Sequence, residues 1–222
     1  MYPPEVHLQA RRQEVRPDEA RWRAFPLGEA DVPVLGSGRG LRELGIPTIV
    51  DHLAVETSAR YQPLHNTTFC NVYAYDICCL AGVYLPRVWW TKEAMNNWRS
   101  GKAVDVLYGV TVTEVTCNLL FTWFHQFGRG FGWEQICATN LLQEAAEMGD
   151  LGLVVAFGDR KCHGHVSIVL PESAYQRSCL TENTLGPLLQ TQAGRRNVTA
   201  RKLDHWWCKN CFSGYAFWVW RS

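Results

Sequence analysis

Ionised cysteine is the best nucleophile among the ordinary side chains, and histidine titrates nearest to neutral pH. The chain holds nine cysteines and seven histidines, so the informative ones are those that local structure would activate. Thr67-Thr68-Phe69-Cys70-Asn71 opens a segment in which Phe69, Tyr73, Ile77, Leu80 and Tyr84 recur near helical spacing, with Gly82 and Pro86 as stop signals. Thr67 and Thr68 are the expected N-caps. Cys70 then falls in the first turn of an apolar, central helix, where unpaired backbone N–H groups and the helix dipole favour the thiolate. The same N–H groups can receive a developing oxyanion.

A cysteine nucleophile needs a base from elsewhere in the fold. His165 opens the run Gly164-His165-Val166-Ser167-Ile168-Val169, a strand in which alternation puts His165, Ser167 and Val169 on one face and Gly164 leaves room for a close neighbour. If this sheet packs on the helix, His165 meets Cys70. A third polar group should orient the imidazole. If His165–Leu170 and Gly186–Gln192 are antiparallel neighbours, Gln192 lies nearest to His165, with Gln190 on the same face two residues back. Glu182 and Asn183, in the connecting loop, compete for the role. The plainer readings are a core thiol for Cys70 and a strand-end histidine bonded to a carbonyl for His165. His163, in a loop, and His125, on a helix, are weaker candidates for the base.

Other constellations compete. Cys208-Lys209-Asn210-Cys211 is a CxxC that, with Cys162, His163 and His165, offers a four-coordinate zinc site; it also reads as a turn between strands. Metal binding there would make His165 a ligand and the chain a non-enzymatic interaction module. Trp89-Trp90 and Trp206-Trp207 could stack on sugar faces or peptide stems, although packing is the commoner use of Trp. Asp76 lies more than one helical turn beyond Cys70 and is expected to be a structural hydrogen-bond acceptor.

The elements that must position these groups follow from the same sequence. Helices are expected at Thr91–Arg99, Thr113–Phe127 and Trp133–Met148, and strands at Leu151–Phe157, His165–Leu170, Gly186–Gln192 and Tyr215–Trp220. Helices first and strands last read as an α+β fold with an antiparallel sheet. Residues 1–40 hold 12 charges and five of the ten prolines, and form an arm that either wraps the domain through Trp22, Phe25 and Leu27 or docks elsewhere; residues 41–222 are the globular domain.

Composition bounds the function. Of the 222 residues, 22 are Lys or Arg and 21 Asp or Glu, a formal charge of +1, which leaves no electrostatic excess for nucleic acid. The longest apolar stretch tested, Val115 to Gly128, is too short for a membrane span. No apolar h-region follows the first residues, so synthesis in the cytoplasm without a Sec signal is expected. The odd cysteine count suits reduced thiols rather than a disulfide framework. The other eight cysteines are expected to be mostly buried, so a reactive Cys70 should lack access to a partner thiol with which to oxidise.

The blocks Asn66-Thr-Thr-Phe-Cys70-Asn71-Val-Tyr-Ala-Tyr-Asp76, Gly164-His165-Val-Ser-Ile-Val and Gln190-Thr-Gln192-Ala-Gly194 resemble the papain-like superfamily of NlpC-type and CHAP cysteine peptidases and amidases that cut bacterial peptidoglycan. They are most similar to variants among interbacterial toxins, including type VI secretion effectors. The resemblance implies a papain-like fold, Cys70 as nucleophile, His165 as base and a polar third residue on the next strand, for which Gln192 is the first choice. It further implies no cofactor and no metal, a peptidoglycan stem peptide as substrate, an immunity protein and a dedicated secretion machinery as partners, and action in a target periplasm. Ninety-five positions separate Cys70 from His165, more than in compact members, so the helices between 91 and 149 read as an insertion that shapes the cleft.

Overall fold

A computed structural model describes residues 2–8, 23, 25–27, 39–159, 162–175 and 187–221. Its order is α1 (Arg39–Leu53), α2 (Cys70–Leu80), β1 (Val88–Trp90), α3 (Lys92–Arg99), β2 (Val112–Glu114), α4 (Cys117–Phe127), β3 (Trp133–Ile136), α5 (Thr139–Glu147), β4 (Leu151–Gly158), β5 (His165–Val169), β6 (Leu188–Gln192), β7 (Val198–Leu203) and β8 (Phe212–Trp220). The fold is α+β and its sheets are antiparallel. β1 and β2 form a two-stranded ribbon, and the other six strands form one sheet in the order β3-β8-β4-β5-β6-β7. Among the described residues no helix is long and apolar enough to cross a membrane.

The six-stranded sheet is buried on both faces. Leu153, Val155, Val166, Ile168 and Trp218 join α1, α2 and α4 in the main core, while Val154, Ala156, Val169, Phe217 and Val219 meet α5 and Trp207 on the other side. This is why β4 reads as a continuous apolar run rather than an alternating one. α2 lies at the centre: Val72 and Ile77 are fully buried, and each such side chain contributes about 1.5–3 kcal/mol. α4 is equally integral, burying Leu120, Trp123 and Phe124 in the same core. It is therefore part of the domain's centre.

Three expected boundaries are corrected. α2 begins at Cys70 with Phe69 as N-cap and no side-chain cap, so neither Thr67 nor Thr68 serves as one; Thr67 instead bridges to Leu64. The helix expected from Thr113 begins at Cys117, because Thr116 caps Leu119 N–H at 3.3 Å while Thr113 pairs with Trp89 in the ribbon. The helix expected from Trp133 divides: Gly132, at φ +86°, turns Trp133–Ile136 into an edge strand against β8, and α5 starts at Thr139. Gly186 and the start of its expected strand lie outside the described residues.

The described pieces of the arm lie on the domain. Val6 is buried with Val88 and Val112, Trp90 Nε1 donates to Pro4 O at 3.1 Å, and Leu27 packs against the main core. Arg23 sits 3.7 Å over the Phe69 ring and donates to Ala59 O at 2.9 Å. Trp22 is outside the described residues.

Candidate active site

Cys70 is the first residue of α2 and 3% exposed. The cap residue Phe69 makes no side-chain cap hydrogen bond, and the first turn of a helix favours an anion through its N–H groups and dipole. Asn71 holds this end in place by donating from Nδ2 to Val115 O at 2.7 Å, which ties α2 to the segment leading into α4.

His165 reaches Cys70 by a different route from the one alternation suggests. Val166 and Ile168 occupy the α2 face of β5, and Val169 the α5 face. His165 therefore has the parity of the far face and approaches from the strand's end. The β5–β6 ladder pairs only Ile168 with Thr191 and Val169 with Gln190, so the start of β5 is open on that side. The Cys70 sulfur fits there, with the Val166 N–H and the imidazole as partners. Gly164 does make room for a neighbour, but the neighbour is Asn118: a Cβ at Gly164 would lie 2.3 Å from Asn118 Oδ1. Asn118 also clamps Gly158, the last residue of β4, by bonds at 2.8 and 3.0 Å.

Gln192 Oε1 lies 2.8 Å from His165 Nε2. A carbonyl oxygen can only accept, so Nε2 carries a proton and Nδ1 is left for Cys70. Gln190 does not share this role. It is fully buried, and its Oε1 accepts from Ser167 Oγ at 2.6 Å and Trp206 Nε1 at 3.0 Å. Glu182 and Asn183 lie outside the described residues. Trp206 edges against the imidazole with ring centroids 4.7 Å apart, covering one side of it.

The electrostatics favour a charge-separated pair. A hydrogen bond from Cys117 and, against the cost of burial, the His165 charge and hydrogen bond hold the Cys70 thiol well below its ordinary range. Burial opposes the imidazolium, yet the Cys70 charge and hydrogen bond, helped by Gln192, raise His165 above its ordinary value despite the repulsion of Lys209. A thiolate beside an imidazolium is a nucleophile already deprotonated and an acid already loaded.

Cys117 is the feature that sequence reasoning passed over. It is the first residue of α4, and its Sγ lies 3.2 Å from Cys70 Sγ. The bond to Cys70, burial and the neighbouring thiolate push its own thiol well above the ordinary value, with Arg87 partly offsetting them. Cys117 is thus the donor and Cys70 the acceptor. The expectation that the nucleophile has no thiol partner is overturned. Cys117-Asn118 repeats the Cys-Asn helix start of Cys70-Asn71, which was the available signal. A cleft of about 310 Å³ opens here, lined by Cys70, Asn71, Cys117, Arg87, Glu114 and His163. Arg87 is buried and ion-paired with Glu114 at 2.8 Å.

The competing constellations take other roles, apart from Trp206, which edges against the imidazole, and His163, which lines the cleft. Cys208 is exposed, Cys162 Sγ donates to Cys211 O at 2.7 Å, and among the described residues no three His, Cys, Asp or Glu side chains converge as a metal-binding group. Trp89 packs among Trp123, Phe127 and Phe131, and Trp207 is buried beneath the sheet. Asp76 accepts from Arg60 Nε at 2.6 Å, Arg60 Nη2 at 3.0 Å and Tyr61 Oη at 2.8 Å, a structural role on the far side of α2. No family model matches the chain, and no curated protein matches it.

Proposed function

We propose that the chain is a papain-like cysteine hydrolase of the NlpC/CHAP type that cleaves an amide bond in peptidoglycan stem peptides and serves as an antibacterial toxin or effector. The observation that carries the chemistry is the convergence of Cys70, His165 and Gln192 at a helix start beside an open cleft. The substrate class and the effector role rest on the sequence resemblance.

In this reading the Cys70 thiolate adds to the amide carbonyl, and the first-turn N–H groups of α2 receive the oxyanion. The His165 imidazolium gives its Nδ1 proton to the departing amine as the C–N bond breaks, leaving an acyl thioester on Cys70. Neutral His165 then takes a proton from water, whose oxygen attacks the thioester and releases the acid. Gln192 keeps the proton on Nε2 throughout, so the base nitrogen faces the sulfur. Every proton moves through His165, and the sequence of steps calls on no bound group.

The test is mass spectrometry of purified peptidoglycan after incubation with reduced native protein and with Cys70→Ala. Cys70-dependent muropeptides cut within the stem support the reading, and unchanged muropeptides reject it. The second thiol favours one alternative, a papain-like enzyme acting on a target protein, because a reducing cytosol keeps both thiols free. Cys70-dependent toxicity on cytoplasmic expression selects that alternative; lysis only when a signal peptide sends the chain to the periplasm selects the wall.

A further inference from the structure

The two helix starts that meet at the cleft bring together more sulfur than the hydrolytic steps use. Cys70 and Cys117 are each the first residue of a helix, and their sulfurs are 3.2 Å apart. A disulfide needs about 2.05 Å, so closing the bond asks for an approach of about 1.2 Å. Both residues line the same cleft, which admits a small oxidant. Cys78, by contrast, is buried in the core with its thiol pushed up by desolvation, and is inert.

We propose that Cys70 and Cys117 are a redox-modification site, a dithiol that hydrogen peroxide closes into a disulfide and that a small dithiol reopens. The consequence for activity rests on the hydrolase reading; the sulfur chemistry does not. The Cys70 thiolate attacks one peroxide oxygen, forming S–O as O–O breaks, and the departing oxygen takes the His165 proton and leaves as water. Cys70 is then a sulfenic acid. Cys117 sulfur attacks it, S–S forms as S–O breaks, and the departing hydroxide takes the Cys117 proton to leave as a second water. Two thiols are oxidised by two electrons, and one peroxide is reduced to two waters.

The arrangement has two effects. The nucleophile is masked while the disulfide stands, and it is protected from sulfinic and sulfonic acid, which thiols do not reverse. In the reduced state the same Cys117 S–H donates to the thiolate. An enzyme of this design is switched off by oxidation without being destroyed.

The test treats the full-length native chain, Cys117→Ala and Cys117→Ser with hydrogen peroxide, after circular dichroism has shown each variant folded. The readouts are intact mass, non-reducing peptide maps and iodoacetamide labelling of Cys70. The native chain is expected to yield a Cys70–Cys117 linked peptide and to lose Cys70 labelling, with labelling restored by dithiothreitol. Both variants are expected to trap a dimedone-reactive Cys70 and then to gain oxygen that dithiothreitol does not remove. Equal over-oxidation of Cys70 in native and variant chains, with no linked peptide, overturns the proposal. A linked peptide in a chain that releases no muropeptides even when reduced upholds this proposal and rejects the hydrolase reading alone.

Discussion

Among the buried side chains of helix α2, Cys70 and Asp76 lie six residues apart and are used in opposite ways. Asp76, 1% exposed, has both carboxylate oxygens occupied by Arg60 and Tyr61, and Arg60 in turn donates to Phe25 O at 2.8 Å. Cys70, 3% exposed, faces an imidazole, a second thiol and an open cleft. At Asp76 every strong interaction is spent within the protein, which holds Arg60's guanidinium charged in spite of burial. At Cys70 the interactions stabilise a charge whose lone pair remains available. Burial alone therefore says little about function; what the neighbours leave unspent says more.

Exchanging the two sites' losses tests the contrast. The largest effect is expected from Cys70→Ala and His165→Ala, each lowering hydrolysis by on the order of 10⁴-fold or more, while thermal unfolding stays near that of the native chain. Asp76→Ala should do the reverse, costing about 3–5 kcal/mol because Arg60 is left as an uncompensated buried charge. A small stability loss in Asp76→Ala, or a large one in Cys70→Ala, would break the comparison.

Gln192→Ala removes one hydrogen bond to the imidazolium, about 1.5–3 kcal/mol, and should lower turnover about 10- to 100-fold. Gln190→Ala should act on stability instead, since Gln190 binds Ser167 and Trp206 rather than His165. A dead Gln190→Ala that remains fully folded would exchange the two roles.

The smallest effects are titrations, and their signs are fixed by the causes. In Cys70→Ala the imidazole loses the charge and bond that raise it, burial then prevails, and His165 should titrate at lower pH than in the native chain. In Cys117→Ala the thiolate loses its S–H donor, so Cys70 should ionise at higher pH and the acid limb of the activity profile should move upward. Histidine resonances in NMR spectra and ultraviolet thiolate absorbance read the two shifts. The paired charges also link to stability: Cys70, depressed on folding, contributes at pH above the ordinary thiol range and loses this as pH falls through its folded value. His165, raised on folding, contributes below its ordinary value and loses this as pH rises through its folded value.

Much of the site was legible because it is local. A Cys at a helix start, a His at a strand start and a pair of Gln residues on the next strand named the candidates, but the two-residue period of β6 left Gln190 and Gln192 on one face; the bonds of Gln190 to Ser167 and Trp206, and of Gln192 to His165, distinguish them. What escaped depends on tertiary pairing. α1 was hidden because Gly40, Gly45 and Pro47 read as breakers, yet Ile46, Ile49 and Val50 are buried against the core, and that burial overrides propensity. β3 was taken for helix because Trp133–Ile136 is apolar at both ends and polar between, with no strand alternation to declare it, and its pairing with β8 decides it. Cys117 escaped because one sulfur in an apolar run is ordinary; only the meeting of two helix starts makes it special.

In the proposed chemistry Cys70 attacks an amide carbonyl with His165 as its acid and base. The most direct measurement is intact-mass spectrometry of reduced protein mixed with soluble muropeptides and quenched in acid during turnover. An acyl adduct whose mass equals the acyl part of the cleaved stem is expected on the Cys70 peptide and absent from Cys70→Ala. Stem cleavage that persists undiminished in Cys70→Ala, with no adduct on the native chain, would contradict it.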